Sequence, residues 1–108
     1  MFDFKEFLLS NKNKVEEIQK GTDRLVIFGA GNTSRLYEKC FSDDGLKIAG
    51  FADNDARKYN KSFLGGYNVV PAQDIRRRYG ENVMILISSA MDSVYWSIAS
   101  QLDGLGHK

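Results

Sequence analysis

The amino-acid sequence predicts an α/β fold in three layers, with helices on both faces of a short, mainly parallel sheet. Three apolar runs, residues 25–28, 47–52 and 83–87, have the length and the β-branched content of buried parallel strands. Helical or turn-forming segments separate these runs, which is the alternation that strand–helix–strand units produce. A fourth, shorter strand is expected within residues 63–70, and we expect the run 83–87, the most apolar in the chain, to lie at the centre of the sheet.

Amphipathic spacing predicts four helices around this sheet, over residues 3–20, 32–41, 72–79 and 91–102. The polar run 11–13 leaves open a division of the first into two short helices. Pro71 suits the start of the third helix, because its missing N–H is not needed in the first turn. The predicted buried stripes are Leu36, Tyr37, Cys40 and Phe41 in the second helix, and Met91, Val94, Tyr95, Ile98 and Leu102 in the fourth, with Trp96 outside the stripe.

Composition limits the classes of protein that the chain can represent. With 108 residues it has the length of one domain, and 43% hydrophobic with 27% charged residues is typical of a globular protein. The net charge of +1 argues against a general nucleic-acid or membrane-surface binder. One cysteine permits no internal disulfide and suits the reducing cytoplasm. No apolar run has the length of a membrane span, and the first residues do not form a secretory signal. We therefore expect a cytoplasmic protein.

The chain is predicted to divide into an N-terminal helical segment, residues 1–21, and one α/β domain, residues 22–108. The helical segment reads as a cover for the domain, or as an interface for a partner or a second copy. The domain carries one strand–helix–strand half and one further strand–helix unit, whereas a full dinucleotide fold has two such halves. We expect either an N-terminal fragment of a larger protein, with a further domain, or a reduced domain that relies on partners, such as a second copy in a homodimer.

A glycine turn directly after the first strand is the feature around which the chain is organised. Gly29-Ala30-Gly31 permits a tight turn and lets a ligand approach the backbone, and the N–H groups of the next helix form a ready anion site. Asp53 ends the second strand about twenty residues further on, where a dinucleotide site places a carboxylate for ribose hydroxyls. The pattern is G-x-G-x-x-S, with Ser34 at the position of the third glycine, where a small residue serves helix–strand packing.

These features predict a Rossmann-like nucleotide-binding domain, and the acid at Asp53 favours NAD over NADP. Two alternatives stay open: a tight turn that binds nothing, and a solvated loop after the second strand. Asn32 and Thr33 are expected to cap the helix after the glycines. The predicted cofactor-binding residues are Gly29, Ala30, Gly31, Asn32, Thr33, Asp53, Asn54, Ser88 and Ser89.

Ser88 and Ser89 enter this set because they follow the third apolar run. Ligands of open α/β sheets bind beyond the carboxyl ends of the strands, so both serines are expected to face the glycine turn across a crevice. They would contact a ligand there, or one of them would cap the next helix. Two basic runs also have two interpretations, a ligand or partner contact and a solvated surface. They are Arg57, Lys58 and Lys61, which could meet a phosphate, and Arg76, Arg77 and Arg78, which could meet an acidic partner.

No catalytic or metal-binding constellation is predicted. Cys40 falls within an apolar stripe and reads as a small core residue, and the only histidine, His107, lies far from it in the sequence. Whether the chain belongs to an enzyme is therefore left open.

The series IFGAGNTSR, IAGFADND, FLGGYNVVPAQDI and ILISSA, over about residues 24–102, resembles a nucleotide-binding domain of bacterial surface-polysaccharide proteins. It is similar to the cofactor domain of nucleoside-diphosphate-sugar epimerases and dehydratases, to the N-terminal domain of sugar acyltransferases, and to small domains attached to sugar methyl- and glycosyltransferases. The first likeness implies NAD held by Gly29, Gly31 and Asp53; the second implies a nucleotide-sugar in the same crevice. The chain departs from the dehydrogenase-like enzymes because it contains no Tyr-x-x-x-Lys pair.

Three functions follow as expectations. The first is a module that binds NAD or a UDP-sugar for a sugar- or polysaccharide-modifying protein. The second is a fragment of an NAD-dependent sugar-nucleotide dehydratase or epimerase. The third is a structural or interaction domain that binds no nucleotide.

Overall fold

A computed structural model describes residues 9–10, 12–20, 24–43, 46–59, 62–63, 66–88 and 92–106. Most of the predicted N-terminal helix upstream of residue 12, together with Gly21, Lys61, Ser89, Met91 and His107, lies outside these ranges. Short 3-10 helices at Ala56–Lys58 and Ala72–Asp74 accompany the main elements. In chain order these are α1 (Lys12–Lys20), β1 (Arg24–Phe28), α2 (Asn32–Asp43), β2 (Ile48–Ala52), β3 (Ser62–Phe63), β4 (Tyr67–Val70), α3 (Ile75–Tyr79), β5 (Val83–Ile87) and α4 (Asp92–Gly104).

The five strands form one sheet in the order β3-β4-β2-β1-β5. Strands β4, β2, β1 and β5 run parallel, and β3 pairs antiparallel with β4 through a short hairpin. The sheet thus confirms the predicted α/β fold with a mainly parallel sheet. The chain adds β2 and β4 on one side of β1 and then crosses to the other side for β5. The strand order therefore reverses between β1 and β5, where open α/β sheets bind their ligands.

The expectation that residues 83–87 form a central strand is wrong. Within the described part of the chain, β5 pairs only with β1 and lies at one edge of the sheet. All five of its residues are half-buried, whereas four of the five residues of β1 are buried. An apolar run indicates that both faces of a strand are covered by helices, but it carries no information about which strands lie beside it.

Two apolar cores lie on opposite faces of the sheet, because successive residues of β1 point to opposite sides. The first core lies under α1 and α2, and the second lies under α3 and α4. Leu25 and Ile27 enter the first with Ile18 and Phe41, whereas Val26 and Phe28 enter the second with Ile75 and Leu102. Helices on both faces give the three layers.

Two predicted helical stripes need correction. Leu36 was expected in the buried stripe of α2, but 60% of its surface is exposed. Phe41 and Tyr37 lie four residues apart and define the packed face, and Leu36 is turned away from it by one helical position. In α4, Ile98 and Leu102 contact the core, whereas Val94 and Tyr95 are 41% and 39% exposed. The first turns of α4 extend past the core and border a cleft.

Candidate functional site

The register of the sheet places the ends of three strands side by side. Phe28, the last residue of β1, pairs with Ala52 of β2 and with Ile87 of β5. The next residue of each strand is a predicted site residue: Gly29, Asp53 and Ser88. Parallel strands with their ends level bring these residues together, although they are widely separated in the sequence.

Gly29 has a positive φ of 115°, a conformation that side chains disfavour. A Cβ atom there would lie only 2.5 Å from the hydroxyl oxygen of Ser88. That hydroxyl donates a hydrogen bond of 3.0 Å to the Phe28 carbonyl, and the Ser88 N–H donates to the same oxygen at 2.9 Å. The expected proximity of Ser88 to the glycine turn is observed, and glycine at position 29 makes it possible.

A serine side chain hydrogen-bonds the backbone at the start of α2. The helix begins at Asn32, so Gly31 occupies the cap position, and the side chains of Asn32 and Thr33, the predicted caps, lie outside what the structure describes. The fully buried Ser34 hydroxyl accepts a hydrogen bond of 2.7 Å from the Gly31 N–H and lies 2.8 Å from the Gly31 carbonyl oxygen. A side chain at the third helical position that reaches back to the cap N–H is one half of a capping box.

Asp53 connects the glycine turn to the loop that follows β2. One carboxylate oxygen accepts a 2.8 Å hydrogen bond from the Ala30 N–H, and the other accepts one of 2.8 Å from the Asp55 N–H. The side chain is 17% exposed. Each carboxylate oxygen has more than one acceptor site, so the group retains capacity for a further donor.

Lys58 is a site residue that the sequence left undecided. Its ammonium group donates a 2.8 Å hydrogen bond to the Ala30 carbonyl and lies 3.4 Å from the Asp53 carboxylate. The 3-10 helix Ala56–Lys58 turns the chain back toward the glycines, and the Asp55 carboxylate caps that helix through the Arg57 N–H. The sequence offers one signal for this geometry, namely an aspartate, Asp55, that can cap a short helical turn containing Lys58.

Arg57 does not share this position. Its guanidinium group binds the Asp55 carboxylate at 2.9 Å and its side chain is 88% exposed. The hydrogen bond from the Arg57 side chain lowers the pKa of Asp55 to about 2, and the Arg57 backbone N–H adds to the effect.

The N–H groups of the glycine turn all donate within the protein. Gly29 donates to the Ala52 carbonyl at 2.6 Å, Ala30 donates to Asp53, and Gly31 donates to Ser34. The Arg35 N–H is the donor that bonds back to the Gly31 carbonyl, at 3.2 Å. The N–H groups of residues 32–34, which precede Arg35 in the first turn of α2, have no acceptors inside the helix. An anion at this turn would therefore meet those groups and the Lys58 ammonium.

A cleft of about 430 Å³ opens at the strand ends, within the size range of ligand pockets. One wall contains four of the predicted residues: Gly29, Asp53, Asn54 and Ser88. The other wall belongs to α4 and contains Ser93, Val94, Ser97 and Ile98, none of which was predicted as a site residue. Val94 and Ile98 belong to the predicted packed stripe, since a helix face that borders a cleft has the same period as one that contacts a core, and Ser93 and Ser97 have no predicted role.

Two amides join the walls of the cleft. The Asn54 side-chain amide donates to the Gln101 oxygen at 2.8 Å, and the Gln101 amide donates back to Asn54 at 3.0 Å. Gln101 lies on α4, so this pair connects the loop after β2 with the helix opposite. The distance between the two walls is thereby constrained by a reciprocal hydrogen-bonded pair.

A second depression of about 470 Å³ lies beside α3 and involves part of the arginine run. Arg77 there pairs with Asp74 at 2.9 Å, with an arginine side chain that is 80% exposed. An exposed pair of this kind contributes little energy, and the arrangement agrees with a solvated helix face.

Comparisons with known proteins give no assignment: no family model matches the chain, and no curated protein matches it. The resemblance to polysaccharide-biosynthesis domains thus stays a prediction.

Within the ranges that the structure describes, no helix combines the length and apolar character needed to cross a membrane. No group of three His, Cys, Asp or Glu residues is arranged to hold a metal ion in the same ranges.

Proposed function

We propose that the chain binds a nucleotide cofactor or a nucleotide-sugar, NAD or a UDP-sugar, as a module of a sugar- or polysaccharide-modifying protein. The observation that carries the proposal is the convergence of Gly29, Asp53, Asn54 and Ser88 on one cleft. That cleft lies beyond the carboxyl ends of the strands at the reversal of strand order, the usual ligand position in this architecture.

The phosphates of such a ligand would lie against the start of α2. The N–H groups of its first turn, which have no acceptor inside the helix, attract an anion, and Lys58 adds a positive charge next to Ala30. Lys58 thus supports the phosphate interpretation of the basic run, whereas Arg57 is paired with Asp55.

The ribose of the ligand would meet Asp53. Its carboxylate is held in place by Ala30 and Asp55 and keeps acceptor capacity for a hydroxyl donor. A carboxylate at this position accepts from a 2′-hydroxyl and repels a 2′-phosphate, which favours NAD over NADP.

One observation supports the alternative of a domain that binds no nucleotide. Because Ala30 and Gly31 donate their N–H groups to Asp53 and Ser34, the turn is satisfied without a ligand. A turn that serves only the fold would show the same bonds. Binding measurements separate the two proposals.

Calorimetric titration of the full chain with NAD and with UDP-glucose tests the proposal, with Gly31→Val as the diagnostic variant. No atom lies within 4 Å of a Cβ at Gly31, so valine fits the folded protein but covers the backbone that a phosphate would approach. We expect the unaltered chain to bind one of the two nucleotides and Gly31→Val to lose that binding.

Gly66→Val is the matched control, since Gly66 has equally open surroundings away from the cleft. It should bind like the unaltered chain, and circular dichroism should show both variants folded. Binding of neither nucleotide, or full binding by a folded Gly31→Val, would contradict the proposal.

A further inference from the structure

We propose that the cleft between the strand ends and α4 holds the sugar ring of the ligand, and that Ser93 and Ser97 hydrogen-bond its hydroxyl groups. The inference rests on the proposed nucleotide binding and specifies which part of the ligand enters the cleft. The ring is either the ribose or the hexose of a nucleotide-sugar, since both are neutral and carry neighbouring hydroxyl groups.

The two serines are placed as a pair. They lie four residues apart on α4, so their side chains share one face of the helix, and both line the cleft. A serine hydroxyl both donates and accepts, which matches the hydroxyl of a sugar. Asp53 and Asn54 on the opposite wall supply a carboxylate and an amide, so both walls offer polar groups to one ring.

The charge of the cleft favours a neutral ring over a phosphate. Among the described residues that line it, Asp53 carries a negative charge and none carries a positive charge. Lys58 contacts the Ala30 carbonyl and lies 3.4 Å from the Asp53 carboxylate, but it is not part of this lining. A phosphate inside the cleft would therefore meet a carboxylate as the charged group of the lining, whereas hydroxyl donors satisfy that carboxylate.

The apolar part of the lining fits the same ligand. Phe28, Val94 and Ile98 also border the cleft, beside the polar groups. A sugar ring presents C–H groups on its faces and hydroxyls around its rim, so it can satisfy both kinds of surface at once. A surface with mixed apolar and polar groups of this kind is usual for small-molecule sites.

The test compares the double variant Ser93→Ala/Ser97→Ala with the control Ser100→Ala, which changes an exposed serine of the same helix outside the cleft. Affinities for UDP, UDP-glucose and NAD are measured by calorimetry on the full chain. Loss of two hydrogen bonds should weaken binding at least tenfold in the double variant and leave the control unchanged. Weakening for UDP-glucose but not for UDP places the hexose in the cleft, and weakening for both places the ribose there.

The same measurements distinguish a failure of the sugar-site proposal from a failure of the proposed nucleotide binding. If the unaltered chain binds nucleotides and the double variant binds them equally well, the sugar assignment is wrong and the proposed function stands. If the unaltered chain binds none of the three ligands, the proposed function is wrong and the sugar site is overturned with it.

Discussion

Asp53 is the residue on which the geometry of the site depends most. Its carboxylate receives one hydrogen bond from the glycine turn and one from the loop after β2, and Lys58 lies beside it. The same group is the predicted ribose ligand. Asp53 therefore has to hold the turn in place before any ligand is bound, and a variant at this position tests a structural and a binding role together.

Replacing Asp53 by alanine should lower the free energy of unfolding by about 1–3 kcal/mol, because the Ala30 and Asp55 N–H groups lose their acceptor. Urea denaturation measures this change. Asp53→Asn keeps one carbonyl oxygen and should lose less. Equal stability of Asp53→Ala and the unaltered chain would show that water replaces both bonds without cost.

Asp55 gives a pH-dependent signature of the same loop. Its pKa is lowered from the ordinary value of 3.8 to about 2, chiefly by the hydrogen bond from the Arg57 side chain. A lowered pKa means that the contribution of this carboxylate to stability, which is small for so exposed a pair, is present above about pH 4 and is lost as the pH falls toward 2. Carbon-detected NMR titration of the Asp55 carboxyl should give a midpoint near 2.

Arg57→Gln should move that midpoint upward, toward 3.8, and Arg77→Gln is the control because Arg77 pairs with Asp74 instead. An unshifted Asp55 midpoint in Arg57→Gln would mean that the side-chain bond does not form in solution.

Among the elements, the packing of α3 against β2 depends on glycine at position 50, which has no side chain. The pairing of β1 with β2 is irregular, since Leu25 pairs with Ile48 but Val26 pairs with Gly50. A Cβ at Gly50 would overlap the Tyr79 hydroxyl and would lie 2.5 Å from the ring carbon that carries it. Gly50 therefore lets the tyrosine of α3 lie directly against the strand, and burial raises the pKa of the Tyr79 phenol.

Gly50→Ala should lower the free energy of unfolding by about 1–3 kcal/mol, the usual cost of adding a methyl group to a packed region. Gly66→Ala serves as the comparison because no atom lies within 4 Å of its added Cβ. Chemical denaturation of both variants measures the difference. A Gly50→Ala protein as stable as Gly66→Ala would show that Tyr79 moves aside freely.

The positions of the helices and strands along the chain were largely predictable from the sequence. Which elements lie beside one another in the fold was not. The apolar run 83–87 coincides with β5, and Pro71 precedes a helical segment as expected. The edge position of β5 could not be derived, because the hydrophobic pattern reports burial of the two faces and is silent about the order of strands. Likewise, Ser93 and Ser97 follow the same period as a packed face, and only the tertiary structure shows that their part of α4 borders a cleft.

The site was predictable to the extent that it follows from strand ends. Gly29, Asp53 and Ser88 each follow an apolar strand directly, so a parallel sheet brings them together. Lys58 could not be assigned, since its contact with Ala30 depends on a single 3-10 turn within a run of similar cations. The role of Ser34 as the acceptor for the Gly31 N–H was also not predicted. The third position of the glycine pattern is explained by helix–strand packing, for which the serine hydroxyl is not needed.

In the whole molecule, one sheet with a core on each face carries the candidate site at the ends of its strands. The residues before the site, Phe28 and Ala52, both lie in the second core. The loops that follow can thus vary in sequence while their starting points stay fixed, which is how α/β domains place ligand-binding groups on a stable scaffold. We therefore propose this end of the sheet as the nucleotide site.

Nitrogen-edited NMR of the isotope-labelled full chain, titrated with NAD and with UDP-glucose, tests this location of the nucleotide site. Binding should shift the amide signals of Gly29–Gly31, Asp53, Asn54 and Ser88 together, with saturation at one ligand per chain. Signals of β3 and α3, which lie away from the cleft, should stay in place. Unchanged spectra with both ligands, or shifts confined to surfaces other than the strand ends, would contradict the account.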